Sequence, residues 1–149
     1  MMFWGKRLYM ETNEKIQYWL DLADEDLTVA NTMLKNQHYL YMGFMCHLTI
    51  EKALKAVVAE VTNAMPPKSH HLTELADKAL LNTKMDADQQ SFLLLLNPLN
   101  IEGRYPEYKS YTASILTKEK CESILKETED LLCWIKQQLL QRQTDTQTK

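Results

Sequence analysis

"NEKIQYWLDLADEDLTVANTMLK", residues 13–35, decides the fold. Trp19, Leu22, Ala23, Leu27, Ala30 and Leu34 recur at three- and four-residue spacing, which is one face of a helix turned toward a core. Thr12 or Asn13 can cap its start. The other face is acidic: residues 11–26 hold Glu11, Glu14, Asp21, Asp24, Glu25 and Asp26 against Lys15 alone. Any RNA would have to use a different surface. Asp26 stands apart from the other acids because it lies on or beside the apolar stripe, between Ala23 and Leu27 or Ala30. A carboxylate there needs a cation or several N–H donors. Arg104, Lys52 and Lys55 are the candidate cations, and the pair Asp26 with Arg104 is the expected structural ion pair.

Outward from this helix, "NQH" at 36–38 is a break, and residues 39–62 form a second helix. Its broad apolar face carries Phe44, Met45, Leu48, Ala53, Leu54, Val57, Val58 and Val61. Glu51 precedes Lys55 by one turn, the favoured order for such a pair. "TNAMPPKSHH", residues 62–71, contains Pro66-Pro67 and reads as a loop. A short helix is expected over about 72–82, with Leu72, Leu75, Ala76, Ala79 and Leu80 facing inward. Asp86 with Gln89 resembles a capping box that opens a fourth helix, which Pro98 stops after Asn97. An irregular stretch runs to about 115. Thr117 then caps a long last helix whose seam is Cys121, Ile124, Leu125, Leu131, Leu132, Ile135 and Leu139. The expected organisation is an N-terminal lead at 1–12, one helical domain at 13–142, and a frayed polar tail at 143–149. Helices joined mostly by short connections pack as an all-α, up-and-down bundle of four to five antiparallel helices.

The totals agree. A chain of 149 residues, 45% apolar and 25% charged, supports one domain with a real core. Three glycines and four prolines are few breakers, which favours long helices over many strands. No apolar run approaches the ~20 residues that span a bilayer. "MMFWGKRLYM" places its charges after its apolar residues, unlike a signal peptide, so a cytoplasmic protein away from membranes is expected. A net charge of −3 gives no global pull toward nucleic acid. Cys46, Cys121 and Cys133 form no CxxC pair and read as buried small apolar side chains.

Four segments together resemble the HEPN family (higher eukaryotes and prokaryotes nucleotide-binding). "YWLDLADEDLTVANTML" is similar to its first helix and "FMCHLTIEKALKAVV" to its second. "PKSHHLTELA" is similar to its proline–histidine–leucine loop, and "IEGRYPEY" to the Arg-Tyr-Pro segment before the last helix. The resemblance spans about residues 15–135. It implies a bundle of four or five helices, often a homodimer. Many relatives are encoded beside a minimal nucleotidyltransferase and form toxin–antitoxin pairs with it. Some are metal-independent ribonucleases, and others are proposed to bind nucleotides.

The ribonuclease branch uses an Arg-x(4–6)-His motif. Histidine supplies a proton acceptor near neutral pH, and arginine steadies the charge that builds on phosphate. Here Arg104 is followed by Tyr105, Pro106, Glu107, Tyr108, Lys109 and Ser110, and no histidine follows anywhere in the chain. His70 or His71 would have to approach from elsewhere in the fold or across a dimer. Otherwise these two histidines fix the loop by hydrogen bonding at the start of the third helix. Lys52, Lys55, Lys68, Arg104 and Tyr105 are the candidates for holding a nucleotide or RNA, although lysine-rich helix faces are commonly only solvated. Tyr105, Tyr108 and Tyr111 could stack on a base, or wedge their loop onto the bundle. His47 and Glu51 lie one turn apart, but no HExxH or His/Cys spacing accompanies them, so neither metal nor cofactor is expected. The sequence therefore points first to a HEPN binding and interaction module paired with a nucleotidyltransferase-type protein. A ribonuclease toxin with a displaced base and a nucleotide-binding domain are the alternatives.

Overall fold

The computed structural model describes residues 12–102 and 114–147. Five helices order the described chain: α1 (Thr12–Lys35), α2 (Tyr39–Thr62), α3 (Leu72–Lys78), α4 (Ala87–Glu102) and α5 (Lys118–Gln147). No strand occurs among the described residues. The core is built from Ile16, Ala23 and Ala30 of α1, the 50–59 stretch of α2, Leu72, Leu75 and Ala76 of α3, Leu93 and Leu96 of α4, and Ile124, Leu132 and Ile135 of α5. No described helix is long and apolar enough to cross a membrane.

Side-chain contacts set the helix directions. Asp26 meets Lys52, and Trp19 meets Lys55, so stepping back along α1 steps forward along α2. The two are antiparallel. The start of α1, at Asn13 and Gln17, lies beside Leu139 and Gln143 of α5, while Asp24 bonds Lys136. Thus α5 also opposes α1. Near Gly43 the end of α4 (Leu99) and the approach to α5 (Leu116) come together, whereas Phe92 sits with Leu131. So α4 opposes α5, and the four long helices alternate up and down. α2 is the central helix and is buried on most of its circumference.

The helix ends follow local chemistry. Gln37 takes the left-handed conformation (φ 62°) and closes α1, with His38 N–H bonding Met33 O at 2.8 Å and Gln37 N–H bonding Leu34 O at 3.0 Å. The capping box forms as expected: Gln89 N–H donates to Asp86 Oδ1 at 2.8 Å, and Asp86 N–H to Gln89 Oε1 at 3.0 Å. Thr117 Oγ1 accepts from Lys120 N–H at 3.2 Å.

Several expectations need correction. The third helix ends at Lys78 rather than about 82, because Leu80 (φ 59°) closes it in a left-handed cap, with Leu81 N–H on Ala76 O. That cap turns Leu80 outward, where it is 55% exposed instead of facing the core. Pro98 does not stop the fourth helix, which continues to Glu102. Proline there removes only the N–H that Leu94 O would accept, and both residues are exposed, so water can take the vacant bond. Cys133 is exposed, unlike Cys46 and Cys121, because it lies on the outer face of α5. α5 runs from Lys118 through Gln147.

Candidate functional site

The most concentrated polar chemistry in the described chain lies inside the bundle, on α2. His47, Glu51 and Lys55 are spaced by four residues and so stack along one face. All three are buried. Pro66 and Pro67 end any helical continuation of the connection 63–71, which folds back across this face. It brings His70 with it.

Glu51 is the hub. Its carboxylate side chain is 4% exposed, and both oxygens are engaged. Lys55 Nζ donates to Oε2 at 3.2 Å, and His70 Nδ1–H donates to Oε1 at 3.0 Å. His47 Nε2–H donates to the His70 carbonyl at 3.1 Å, fixing the tautomer in which this nitrogen carries the proton. His47 Nδ1 lies 3.6 Å from Glu51 Oε1, longer than a hydrogen bond. Lys55 also sits over the Trp19 ring, 5.5 Å from its centroid. A buried carboxylate thus ties α2 to the loop and, through Lys55 and Trp19, to α1. Such burial is tolerated because every charge has a partner.

His71, by contrast, belongs to the loop's outer side. Its Nδ1 accepts Glu74 N–H at 3.3 Å and caps α3. Asn97 of α4 completes this corner: its Oδ1 accepts Leu72 N–H at 2.9 Å, and its Nδ2 stands 3.4 Å from His71 Nε2. Sequence reasoning took Asn97 as the last residue of a helix and gave it no role. Nothing local marks an asparagine for a contact 25 residues away.

Of the other sequence candidates, Asp26 is buried and Lys52 Nζ meets its Oδ2 at 2.5 Å. Lys52 is thus a described partner of Asp26, and the expected pair of Asp26 with Arg104 falls on a residue outside the described ones. Lys52 and Lys55 both engage carboxylates, while Lys68 is exposed on the loop. Arg104, Tyr105, Tyr108, Lys109, Ser110 and Tyr111 lie outside the described residues. So the structure brings together Asp26 with Lys52, and Glu51 with Lys55 and His70. It leaves His71 on the α3 cap. Among the described residues, no three His, Cys, Asp or Glu side chains are arranged to hold a metal ion.

The thiols are chemically distinct. Burial pushes Cys46 up to about 12 and Cys121 up to about 11, because a thiolate inside the bundle loses its hydration. Neither is poised to act as a nucleophile.

A helical bundle with this order of helices, and with a proline–histidine loop folded onto its second helix, matches the family model described as "HEPN domain" over residues 16–138. The chain belongs to the HEPN domain family. It is 31% identical over 128 residues to a protein of Methanocaldococcus jannaschii named "Putative toxin MJ1304", covering 76% of this chain and 81% of that protein. Its fold is also that of the protein TT1696 from Thermus thermophilus, whose crystal structure superposes with a TM-score of 0.69 at 19% identity. The match covers 83% of this chain and 97% of that one.

Proposed function

We propose that this protein is a toxin-like HEPN member of a two-protein system, working as a homodimeric binding module for a minimal nucleotidyltransferase-type partner. The observation that carries the reading is the 31% identity, across most of both chains, with the protein named "Putative toxin MJ1304". The pairing with a nucleotidyltransferase is what resemblance to this family implies for a HEPN chain of one domain. The described geometry favours binding over catalysis by this chain. His70 is engaged by Glu51 and His71 caps α3, so each loop histidine already has a packing task. Losing a positioned general base typically costs about 10² to 10⁴ in rate. Lys109 and Ser110 stand where the ribonuclease motif places its histidine, and an ordinary lysine (pKa near ~10.4) is protonated at neutral pH.

The test is induced expression of the chain alone and together with a minimal nucleotidyltransferase-type protein. Growth arrest by the chain alone, relieved by co-expression, and co-elution of the two proteins are the expected results. Unimpaired growth together with separate elution would overturn the reading.

A further inference from the structure

A groove of about 460 Å³ opens between the start of α4 and the middle of α5. Phe92 and Leu95 of α4 and Leu131 of α5 give it an apolar floor, and Asp86, Asp88, Glu127 and Asp130 stand around it. Two of these carboxylates are already used: Asp86 caps α4 through Gln89, and Asp130 bonds Lys126. Asp88 and Glu127 are exposed and have no bonding partner among the described residues. No described residue lining the groove is basic.

The apolar surface continues beyond the groove. α4 carries no charged residue between Asp88 and Glu102. Leu94 and Pro98 are both exposed, Leu94 by 64%. They share a helix face with Ser91 and Leu95, at spacing i, i+3, i+4 and i+7, and Ser91 and Leu95 themselves line the groove. A surface helix ordinarily turns polar residues to water. Here α4 turns a leucine and a proline outward instead. From Asp88 to Pro98 this surface runs about 15 Å along α4, or roughly three helical turns.

The combination of charge and shape selects the occupant. Unneutralised carboxylates repel phosphate, which disfavours nucleic acid and anionic lipid. A slot between two antiparallel helices accepts the side-chain ridge of a third helix. The described helices of a second copy are poorly matched to it. α1 is predominantly acidic, α2 is buried on most of its circumference, and α4 has no lysine or arginine. Lys78 of α3 and Lys126 and Lys136 of α5 are bonded to Glu74, Asp130 and Asp24.

We infer that the α4–α5 groove and the adjoining Leu94–Pro98 face dock a basic amphipathic helix of a different protein. Its aliphatic side chains at i, i+4 and i+7 lie on Leu94, Leu95 and the groove floor, and its lysine or arginine side chains meet Asp88 and Glu127. The inference goes beyond the reading above and stands without the toxin role.

The probe is a fluorescein-labelled synthetic helix of about 15 residues, with leucine at i, i+4 and i+7 and arginine beside them. Its binding to the full chain is read by fluorescence polarisation at about 0.15 M salt. Micromolar binding is expected, and a scrambled peptide of the same composition should bind at least about tenfold more weakly. Asp88→Asn with Glu127→Gln should weaken binding by about tenfold, and Leu94→Gln by about threefold or more. All of these side chains are exposed, so circular dichroism should show an unchanged fold. No binding up to about 100 µM, equal binding of the scrambled peptide, or an affinity untouched by either variant overturns the inference. A gain of about tenfold on Lys6→Glu with Arg7→Glu would show that this chain's own N-terminal lead holds the groove. Loss of self-association on Asp88→Asn with Glu127→Gln, seen by sedimentation velocity, would place a second copy there. Either of these results overturns the inference as well.

Discussion

Replacing Glu51 with leucine removes the anion from a site where the Lys55 side chain is 7% exposed and the Glu51 side chain 4%. Lys55 cannot regain much water there, so its ammonium would be left buried against an apolar neighbour. Removing one partner of a buried pair typically costs about 3–5 kcal/mol. His70 adds little to that sum because its side chain is 46% exposed. For a domain of this size, 1 kcal/mol moves the midpoint by roughly 2–4 °C, so Glu51→Leu should melt about 6–20 °C lower. Lys55→Met strands Glu51 in the same way, though His70 still serves one oxygen, so its loss should fall near ~3 kcal/mol. It also removes the cation from above Trp19, worth about 0.5–2 kcal/mol. The double variant, Glu51→Leu with Lys55→Met, leaves neither charge buried and should be more stable than either single variant. Urea titrations of the four proteins give the coupling directly. Losses that simply add, to within ~0.5 kcal/mol, would refute the claim that this pair is a buried, mutually dependent unit.

Asp26→Ala should cost less, about 1–3 kcal/mol, because the Lys52 side chain keeps 21% exposure; a change below ~0.5 kcal/mol in urea would show that the pair contributes nothing. Lys136→Ala breaks an exposed bond to Asp24 and should shift stability by no more than about 1 kcal/mol. Native protein at pH 8 should react with one equivalent of a thiol reagent, at Cys133, and with three after unfolding; fast modification of Cys46 or Cys121 in the folded protein would contradict their burial. Folding holds protons on those two thiols above their ordinary value of 9.0, so stability should fall as pH rises from about 9 toward 12; a flat profile in both the parent and a Cys46→Ala variant would contradict this. Gly43→Leu should destabilise by about 1–3 kcal/mol, since even a Cβ would stand 3.1 Å from Leu99 Cδ1; a gain in melting temperature would show slack at that contact.

Much of the bundle was legible because its signals are local. The stripe from Trp19 to Leu34, the Asp86–Gln89 box and the Thr117 cap depend only on neighbours within a turn or two. Pro98 misled because a proline's cost depends on whether the orphaned carbonyl faces water, which a one-dimensional reading does not reveal. Leu80 misled because the cap that ends α3 uses a leucine where glycine is the usual signal. At the site, the spacing of Glu51 and Lys55 identified a pair but not its burial. Burial requires the loop to carry His70 back across 19 residues of sequence, and no periodicity encodes that return. Asp26 was marked by its place on an apolar stripe. That Lys52 would answer it depends on the register of α1 on α2, which puts Lys52 opposite.

The proposed binding role, with His70 held by Glu51 and His71 capping α3, predicts that the chain does not cut RNA. A metal-free ribonuclease assay on the purified protein, beside its Arg104→Ala, His70→Ala and His71→Ala variants, decides the matter. No useful cleavage by any of them is expected, with the histidine variants altered only in thermal stability. Cleavage by the parent that Arg104→Ala abolishes, and that either histidine variant also abolishes while remaining folded, would contradict the binding role.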